Sequence, residues 1–210
     1  DSIINIENNM DFDKYLFNIA NNENSDVIDI KNTLIGNKDT YINKYKKYFP
    51  NKDLISNEDG AVILNYTSNG GYLVNNYQRL KADNLSINKN LKDYYNVYKD
   101  KLKNTLDKLP NYDGYVYRGQ KGWEGLGELK EGKEFIVNQF WSTDKGKPFN
   151  GKYQMRIKSK KGKDIEQISR FYMQGEEREV LFNVGSKFKI TKIMKDDMLD
   201  VINIELEEVL

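Results

Sequence analysis

Two carboxylates stand two residues apart in the stretch Gly175-Glu176-Glu177-Arg178-Glu179-Val180-Leu181-Phe182. Alternate side chains of an extended segment share a face, so Glu177 and Glu179 point to one surface while Arg178 points away. Val180, Leu181 and Phe182 form an apolar run suited to a strand covered on both sides, which would hold the base of the pair rigidly. Gly175 and Gly185 punctuate the run as turns. The chain has no His and no Cys. Imidazole acid–base chemistry, thiolate nucleophiles, zinc sites and disulfides are therefore excluded, which leaves carboxylates, Arg, Lys, Tyr, Ser and Thr to act. Taken alone, a Glu-x-Glu in a chain that is 31% charged is an exposed strand end that carries charge for solubility. Other groups must join it before it means more.

Three patterns offer such groups. Tyr117-Arg118-Gly119 sets a guanidinium at the end of a short strand, beside a Gly that lets a ligand approach the backbone. A strand-end Arg also serves as a solvated charge or an ion-pair partner. Phe140-Trp141-Ser142-Thr143 places two hydroxyls after two large aromatics, which equally suits a plain strand ending in a turn. Tyr66-Thr67 precedes Asn75 and Arg79, whose spacing puts an amide and a guanidinium on one helix face.

The elements that must position these residues change type midway. Up to about Leu109 the periodicity is helical. One apolar face runs through Phe12, Tyr15, Leu16 and Ile19, and another through Tyr41, Ile42, Tyr45, Tyr48 and Phe49 up to Pro50. Ser56 with Glu58 and Asp59 reads as a helix N-terminus opening Ala61-Val62-Ile63-Leu64, and the segment breaks at Tyr66 to Gly71. A further helix is expected over 72–81. The strongest spans Ser86 to Leu109, with Leu91, Tyr94, Tyr95, Tyr98, Leu102, Leu106 and Leu109 on one stripe, closed by Pro110. After Pro110 come short apolar runs separated by Gly and Asn. Strands are expected at Tyr115 to Tyr117, Phe135 to Val137, Tyr153 to Ile157, Val180 to Phe182, Phe188 to Ile193 and Val201 to Leu206, the last alternating like a half-solvated antiparallel strand. Helices first and strands afterwards imply an α+β fold with a sheet-on-sheet core.

The chain of 210 residues can bury a real core, and no Pro-, Gly- or Ser-rich linker divides it. One domain is expected over 1–210, mainly helical over 1–109 and mainly β over 110–210. Lys+Arg 33 against Asp+Glu 32 leaves a formal charge of +1, so nothing pulls the chain generally toward nucleic acid or membrane. No stretch has the length of a spanning helix, and the first residues lack a signal-peptide pattern, so a secreted form would have lost its signal.

Tyr117-Arg118-Gly119, then Phe140-Trp141-Ser142-Thr143, then Glu177-Arg178-Glu179-Val180-Leu181 followed by Gly185-Ser186-Lys187-Phe188 stand in a fixed order. In that order they resemble mono-ADP-ribosyltransferase toxins of the Arg, Ser-Thr-Ser and Glu-x-Glu class. The likeness extends from about Ala61 to Ile193 and reaches Tyr66-Thr67, Asn75 and Arg79. It is strongest to the enzymatic components of binary actin-modifying toxins and to the Rho-modifying exoenzymes. The resemblance implies a mixed β-sandwich of two antiparallel sheets with N-terminal helices, NAD as co-substrate in the cleft between the sheets, and no metal. It implies a secreted toxin that acts in the target-cell cytosol on an arginine of a host protein, actin being one, with a translocating partner chain in the binary toxins.

Carried over residue by residue, the resemblance makes Glu179, Glu177, Ser142 and Arg118 catalytic. Arg118 and Arg79 would hold the NAD diphosphate. Asn75, Tyr66, Tyr72, Gly119, Ser142, Thr143, Gln139 or Asn138, Phe149 and Glu179 would complete the dinucleotide site. Glu177, Tyr172 and Phe171 would meet the target, and Glu at position 177 resembles the arginine-modifying branch, where the Rho-modifying branch has Gln. The third residue of Ser-Thr-Ser is Asp144 here. Gln174 stands where relatives carry an aromatic. An NAD glycohydrolase and a non-catalytic docking copy of the same fold are the alternatives.

Overall fold

Apolar residues recur at every third or fourth position up to Asp107 and at every second position after it, and the secondary structure follows that change. A computed structural model of the chain describes residues 42–43, 45–47, 55–67, 74–75, 89–148, 150–169 and 178–210. It divides into two compact units, with the boundary in the sequence between Lys108 and Leu109.

In the first unit, α1 spans Asn57–Asn65 and α2 spans Lys89–Asp107. Ser56 caps α1 by accepting the Asp59 N–H at 3.1 Å, which satisfies one of the amide donors that a helix leaves unpaired at its start. Ala61 to Leu64 are buried, as are Tyr98, Leu102 and Leu106 of α2 at the spacing that keeps one helix face inward. A methyl group at Gly60 would fall inside the Tyr45 ring, so the missing side chain is what lets the ring pack there. Asp59 joins the two helices, accepting from Thr105 Oγ1 at 3.2 Å and from Lys108 Nζ at 2.7 Å. Burial pushes the Asp59 carboxyl up, but the Lys108 ammonium and the Ser56 and Thr105 hydroxyls together hold it below its ordinary 3.8. Residues 42–43, 45–47 and 74–75 are also helical. The helix expected over Phe12 to Ile19, and the stripe residues Leu91, Tyr94 and Tyr95, lie outside the described residues or side chains.

The second unit is built of strands: β1 Asn111–Gln120, β2 Glu134–Ile136, β3 Trp141–Asp144, β4 Tyr153–Asp164, β5 Glu179–Phe182, β6 Lys187–Asp196 and β7 Val201–Val209. Where two antiparallel sheets were expected, all seven strands belong to one hydrogen-bonded sheet in the order β1-β3-β5-β4-β7-β6-β2, with β1 also pairing β4. One ladder, β4 with β7, is parallel. The cause is β4, whose length lets it serve several neighbours. It lies along β1 throughout, along β7 from Tyr153 to Lys158, and against β5 through Lys163 and Asp164.

The change of partner follows an irregularity at Ser159 to Gly162. There the Ser159 hydroxyl donates to the Tyr112 carbonyl at 2.7 Å, and Glu208 Oε1 accepts the N–H groups of Lys160 and Lys161, both at 2.7 Å. A bulge of this kind bends a strand and sharpens its twist, which carries the end of β4 across to β5. A Cβ on Gly162 would lie 2.6 Å from Ser159 Oγ and 2.8 Å from Val180 Cγ1, so the bend requires glycine. The core lies inside the folded sheet and joins Val116, Met155 and Ile157 to Trp141, Val180, Phe182, Phe188, Ile204 and Leu206. Phe182 meets Phe188 edge-on at 5.0 Å, and Phe188 stacks on Trp141 at 5.3 Å. The short strands β3 and β5 therefore stand on a packed aromatic base that leaves them little freedom to shift.

Candidate active site

The polar residues of the site are set by the register of β3 against β5. Ser142 lies opposite Leu181 and Asp144 opposite Glu179, so Ser142 and Glu179 are diagonal neighbours on one face of an antiparallel pair. Trp141, Val180 and Phe182 fill the other face and belong to the core. Ser142 Oγ donates a short hydrogen bond to Glu179 Oε2 at 2.6 Å. Ser169 Oγ reaches the other oxygen, Oε1, at 3.4 Å. Glu179 is only 2% exposed, and its backbone carbonyl accepts the Ile165 N–H at 3.1 Å.

Arg118 meets the same strand from β1. Its Nη1 donates to the Ser142 carbonyl at 2.9 Å, and its guanidinium lies 4.8 Å from the centre of the Trp141 ring. Nε donates to Gln120 Oε1 at 3.2 Å, and Gln120 in turn donates to the Gly122 carbonyl at 2.8 Å. The 151 turn lies so close that a Cβ on Gly151 would sit 2.5 Å from the Gln120 carbonyl. Two hydrogen bonds thus connect the guanidinium to the acid: Arg118 to Ser142, and Ser142 to Glu179.

The other candidates divide. Thr143 is fully buried and its hydroxyl donates to the Val180 carbonyl at 2.7 Å, so it pins β3 to β5 and does not face a ligand. Strand alternation explains this, because Ser142 and Thr143 cannot share a face. Gly119 pairs with Gln154 within the β1–β4 ladder. Asn138 is exposed and Gln139 half-buried in the loop that leads to β3. In the helical unit Asn75 Nδ2 donates to the hydroxyl of buried Tyr66 at 3.2 Å. Glu177, Arg79, Tyr72, Phe149, Tyr172, Phe171 and Gln174 lie outside the described residues.

A family model described as NAD:arginine ADP-ribosyltransferase matches residues 18–209. The chain belongs to this family. Among curated relatives, a putative NAD(+)–arginine ADP-ribosyltransferase, Mav, of Mycobacterium avium (strain 104) is 29% identical over 162 residues. That match takes in 73% of this chain but 18% of the relative, so the chain spans less than a fifth of that protein's length. The ADP-ribosyltransferase Vis in complex with agmatine has a similar fold, with a TM-score of 0.61, 22% identity and coverage of 84% of this chain and 85% of Vis. So does exoenzyme S of Pseudomonas aeruginosa, bound to a 14-3-3 protein and carba-NAD, with a TM-score of 0.63, 17% identity and coverage of 94% and 89%. At these identities the structures show a shared fold.

NAD is the substrate of an NAD:arginine ADP-ribosyltransferase, and the donor set suits it. A permanently charged planar fork such as Arg118 suits a diphosphate, and a fixed carboxylate such as Glu179 suits a ribose hydroxyl, so these are the residues that would hold NAD. Sequence reasoning missed Ser169, Gln120 and Lys145. Lys145 Nζ binds Asp164 and Glu166, each at 2.7 Å, and so ties the turn after β3 to the stretch that carries Ser169. Burial would lower its pKa, but the two carboxylates outweigh that and hold it above 10.5. Ser169 stands ten residues before Glu179, a spacing that no local periodicity links. The Ile165 to Ser169 turn presents it, with the N–H groups of Ile168 and Ser169 both donating to the Ile165 carbonyl at 2.9 Å, and no local sequence signal announces the contact.

Proposed function

We propose that this chain is a mono-ADP-ribosyltransferase toxin or effector that moves ADP-ribose from NAD to an arginine side chain of a host protein, with residues 1–210 serving as its catalytic domain. The observation that carries the reading is the Ser142 hydroxyl on Glu179 at 2.6 Å, with Arg118 bonded to the same serine's carbonyl. A docking copy of the fold would have no use for a carboxylate fixed in this way. In the reaction the bond between ribose C1′ and nicotinamide breaks, its electron pair leaves with nicotinamide, and positive charge builds on the ribose. Glu179 accepts a hydrogen bond from the ribose and stabilises that charge from a position it already holds. Arg118 grips the diphosphate. Glu177 receives the proton that the acceptor guanidinium gives up as its nitrogen bonds to C1′.

The agmatine complex of Vis supports a guanidinium acceptor. By the resemblance above, actin is the host protein to try first, and secretion to a target-cell cytosol is the setting. Incubating the chain with NAD and agmatine is expected to yield ADP-ribosyl-agmatine and nicotinamide in equal amounts. Nicotinamide without the adduct would make the protein an NAD glycohydrolase, and neither product from folded protein would end the proposal. Mass spectrometry of a lysate treated with the enzyme and NAD then names the protein and side chain modified.

A further inference from the structure

Asp144 stands at the end of β3, directly opposite Glu179, and is 4% exposed. Both of its carboxylate oxygens accept backbone N–H groups. Oδ1 takes those of Gly146 at 2.6 Å and Lys147 at 3.1 Å, and Oδ2 takes that of Arg178 at 2.9 Å. The Lys145 N–H donates to the Arg178 carbonyl at 3.0 Å. Both peptide groups flanking the Arg178 Cα are thereby fixed to the turn after β3. Arg178 is the middle residue of Glu-x-Glu, so the nitrogen that Asp144 holds is the one bonded covalently to Glu177.

Glu179 and the Arg178 N–H are anchored by different contacts. Glu179 is held by the β3–β5 ladder, by the Ile165 N–H on its carbonyl, and by Ser142 on its carboxylate. None of those contacts uses the Asp144 side chain. The Arg178 N–H, at the junction with Glu177, goes to Asp144. A serine hydroxyl at position 144 could not span three amides on two segments. An asparagine could accept on one side only, and its NH2 would face an N–H on the other.

We propose that Asp144 is a positioning residue that fixes the Arg178 backbone linking the two acids, and thereby sets how ADP-ribose is divided between an arginine side chain and water. The inference rests on the function proposed above. Cleavage of NAD needs Glu179 and Arg118 in place. Transfer to arginine adds a second demand, because a guanidinium nitrogen must meet C1′ while Glu177 takes its proton. A misplacement of about 1 Å costs such a two-point alignment far more than it costs attack by water, which arrives from any open direction.

The test measures ADP-ribosyl-agmatine, free ADP-ribose and nicotinamide for the whole chain and for Asp144→Asn, Asp144→Ser and Arg178→Ala. For both Asp144 variants nicotinamide release is expected to stay within about threefold of the parent, while the ratio of agmatine adduct to free ADP-ribose falls about tenfold. Arg178→Ala keeps its backbone N–H and is expected to keep the parent ratio. A parent-like ratio in either folded Asp144 variant overturns the proposal. So does an equal loss of both products, which is what a merely structural role would give. An Arg178→Ala ratio as low as that of the Asp144 variants overturns it too, by moving the effect to the guanidinium. Absence of both products from the parent chain would instead remove the proposed function and leave Asp144 aside.

Discussion

Removing the Ser142 hydroxyl should disturb the orientation of Glu179 while leaving the acid in place. A hydrogen bond to a charged group contributes about 1.5–3 kcal/mol, so Ser142→Ala is expected to lower kcat by one to two decades with little change in KM for NAD. Ser169 is farther from the carboxylate, at 3.4 Å, and Ser169→Ala should cost only a few-fold, roughly what a weak contact contributes. A larger loss in Ser169→Ala than in Ser142→Ala would show that the order of the two contacts is wrong. Arg118→Lys keeps the charge but not the planar fork, so it should raise KM for NAD more than it lowers kcat. Steady-state kinetics with varied NAD separates these cases. The residues legible in the sequence were those whose neighbours in the chain announce them: Arg118 between Tyr117 and Gly119, Ser142 after Trp141, and Glu179 before Val180. Ser169 on Glu179, and Asp144 on the Arg178 N–H, act through contacts made only when separate segments meet, while Gln120 holds Arg118 from two residues away without any motif to announce it. Position 144 departs from the family pattern, and its three amide partners give that departure a role.

At the scale of elements, composition announced the strands and could not announce their pairing. The expected segments at Tyr115, Phe135, Tyr153, Val180, Phe188 and Val201 all fall in strands. In β7 the expected alternation holds, with Ile204, Leu206 and Glu208 buried in turn. Yet β7 pairs β4 in parallel, because the side-chain pattern of one strand carries no record of its neighbour's direction. The buried Glu208 shows what the pattern hides, an acid at a core position that ties down the β4 bulge. Glu208→Ala would leave the Lys160 and Lys161 amides without that acceptor. It is expected to destabilise by about 2–4 kcal/mol, seen as a drop of roughly 5–15 °C in Tm. A drop under about 2 °C would mean that the bulge forms without it.

In the helical unit, Asp59 links the start of α1 to the end of α2 and is held below its ordinary 3.8. A carboxyl depressed on folding stabilises the fold above its unfolded value, and that contribution is lost as pH falls through the lower folded value. Asp59→Asn should therefore cost about 1 kcal/mol at neutral pH, kept small because Lys108 is 57% exposed, and the gap to the parent should close below pH 3.8. Denaturant titrations at several pH values measure that gap. One that stays constant with pH would show that the carboxylate charge is not what matters.

Over the whole molecule the charges nearly cancel, and the sheet shows how. Acidic β7 runs between basic β4 and β6, with Glu205 facing Arg156 and Lys192, and Glu207 facing Lys158 and Lys189. Ion pairs at 3.7 Å from Arg156 to Glu205 and 3.4 Å from Lys160 to Glu207 cross this surface, and both pairs are well exposed. Exposed pairs contribute about 0–1 kcal/mol each, so the lattice keeps the face neutral more than it stabilises the fold. Among the described residues, Arg118 is the cation proposed above to hold the dianionic diphosphate. Raising NaCl from about 0.05 M to about 0.5 M shortens the screening length from roughly 14 Å to roughly 4 Å. Tm should then move by less than about 3 °C, because the pairs that salt screens contribute little to stability. KM for NAD should rise a few-fold over the same range, and Arg118→Ala should flatten that rise. A Tm that falls steeply while KM stays fixed would reverse the assignment, placing the useful charge in the surface lattice and leaving the diphosphate to be held by uncharged donors.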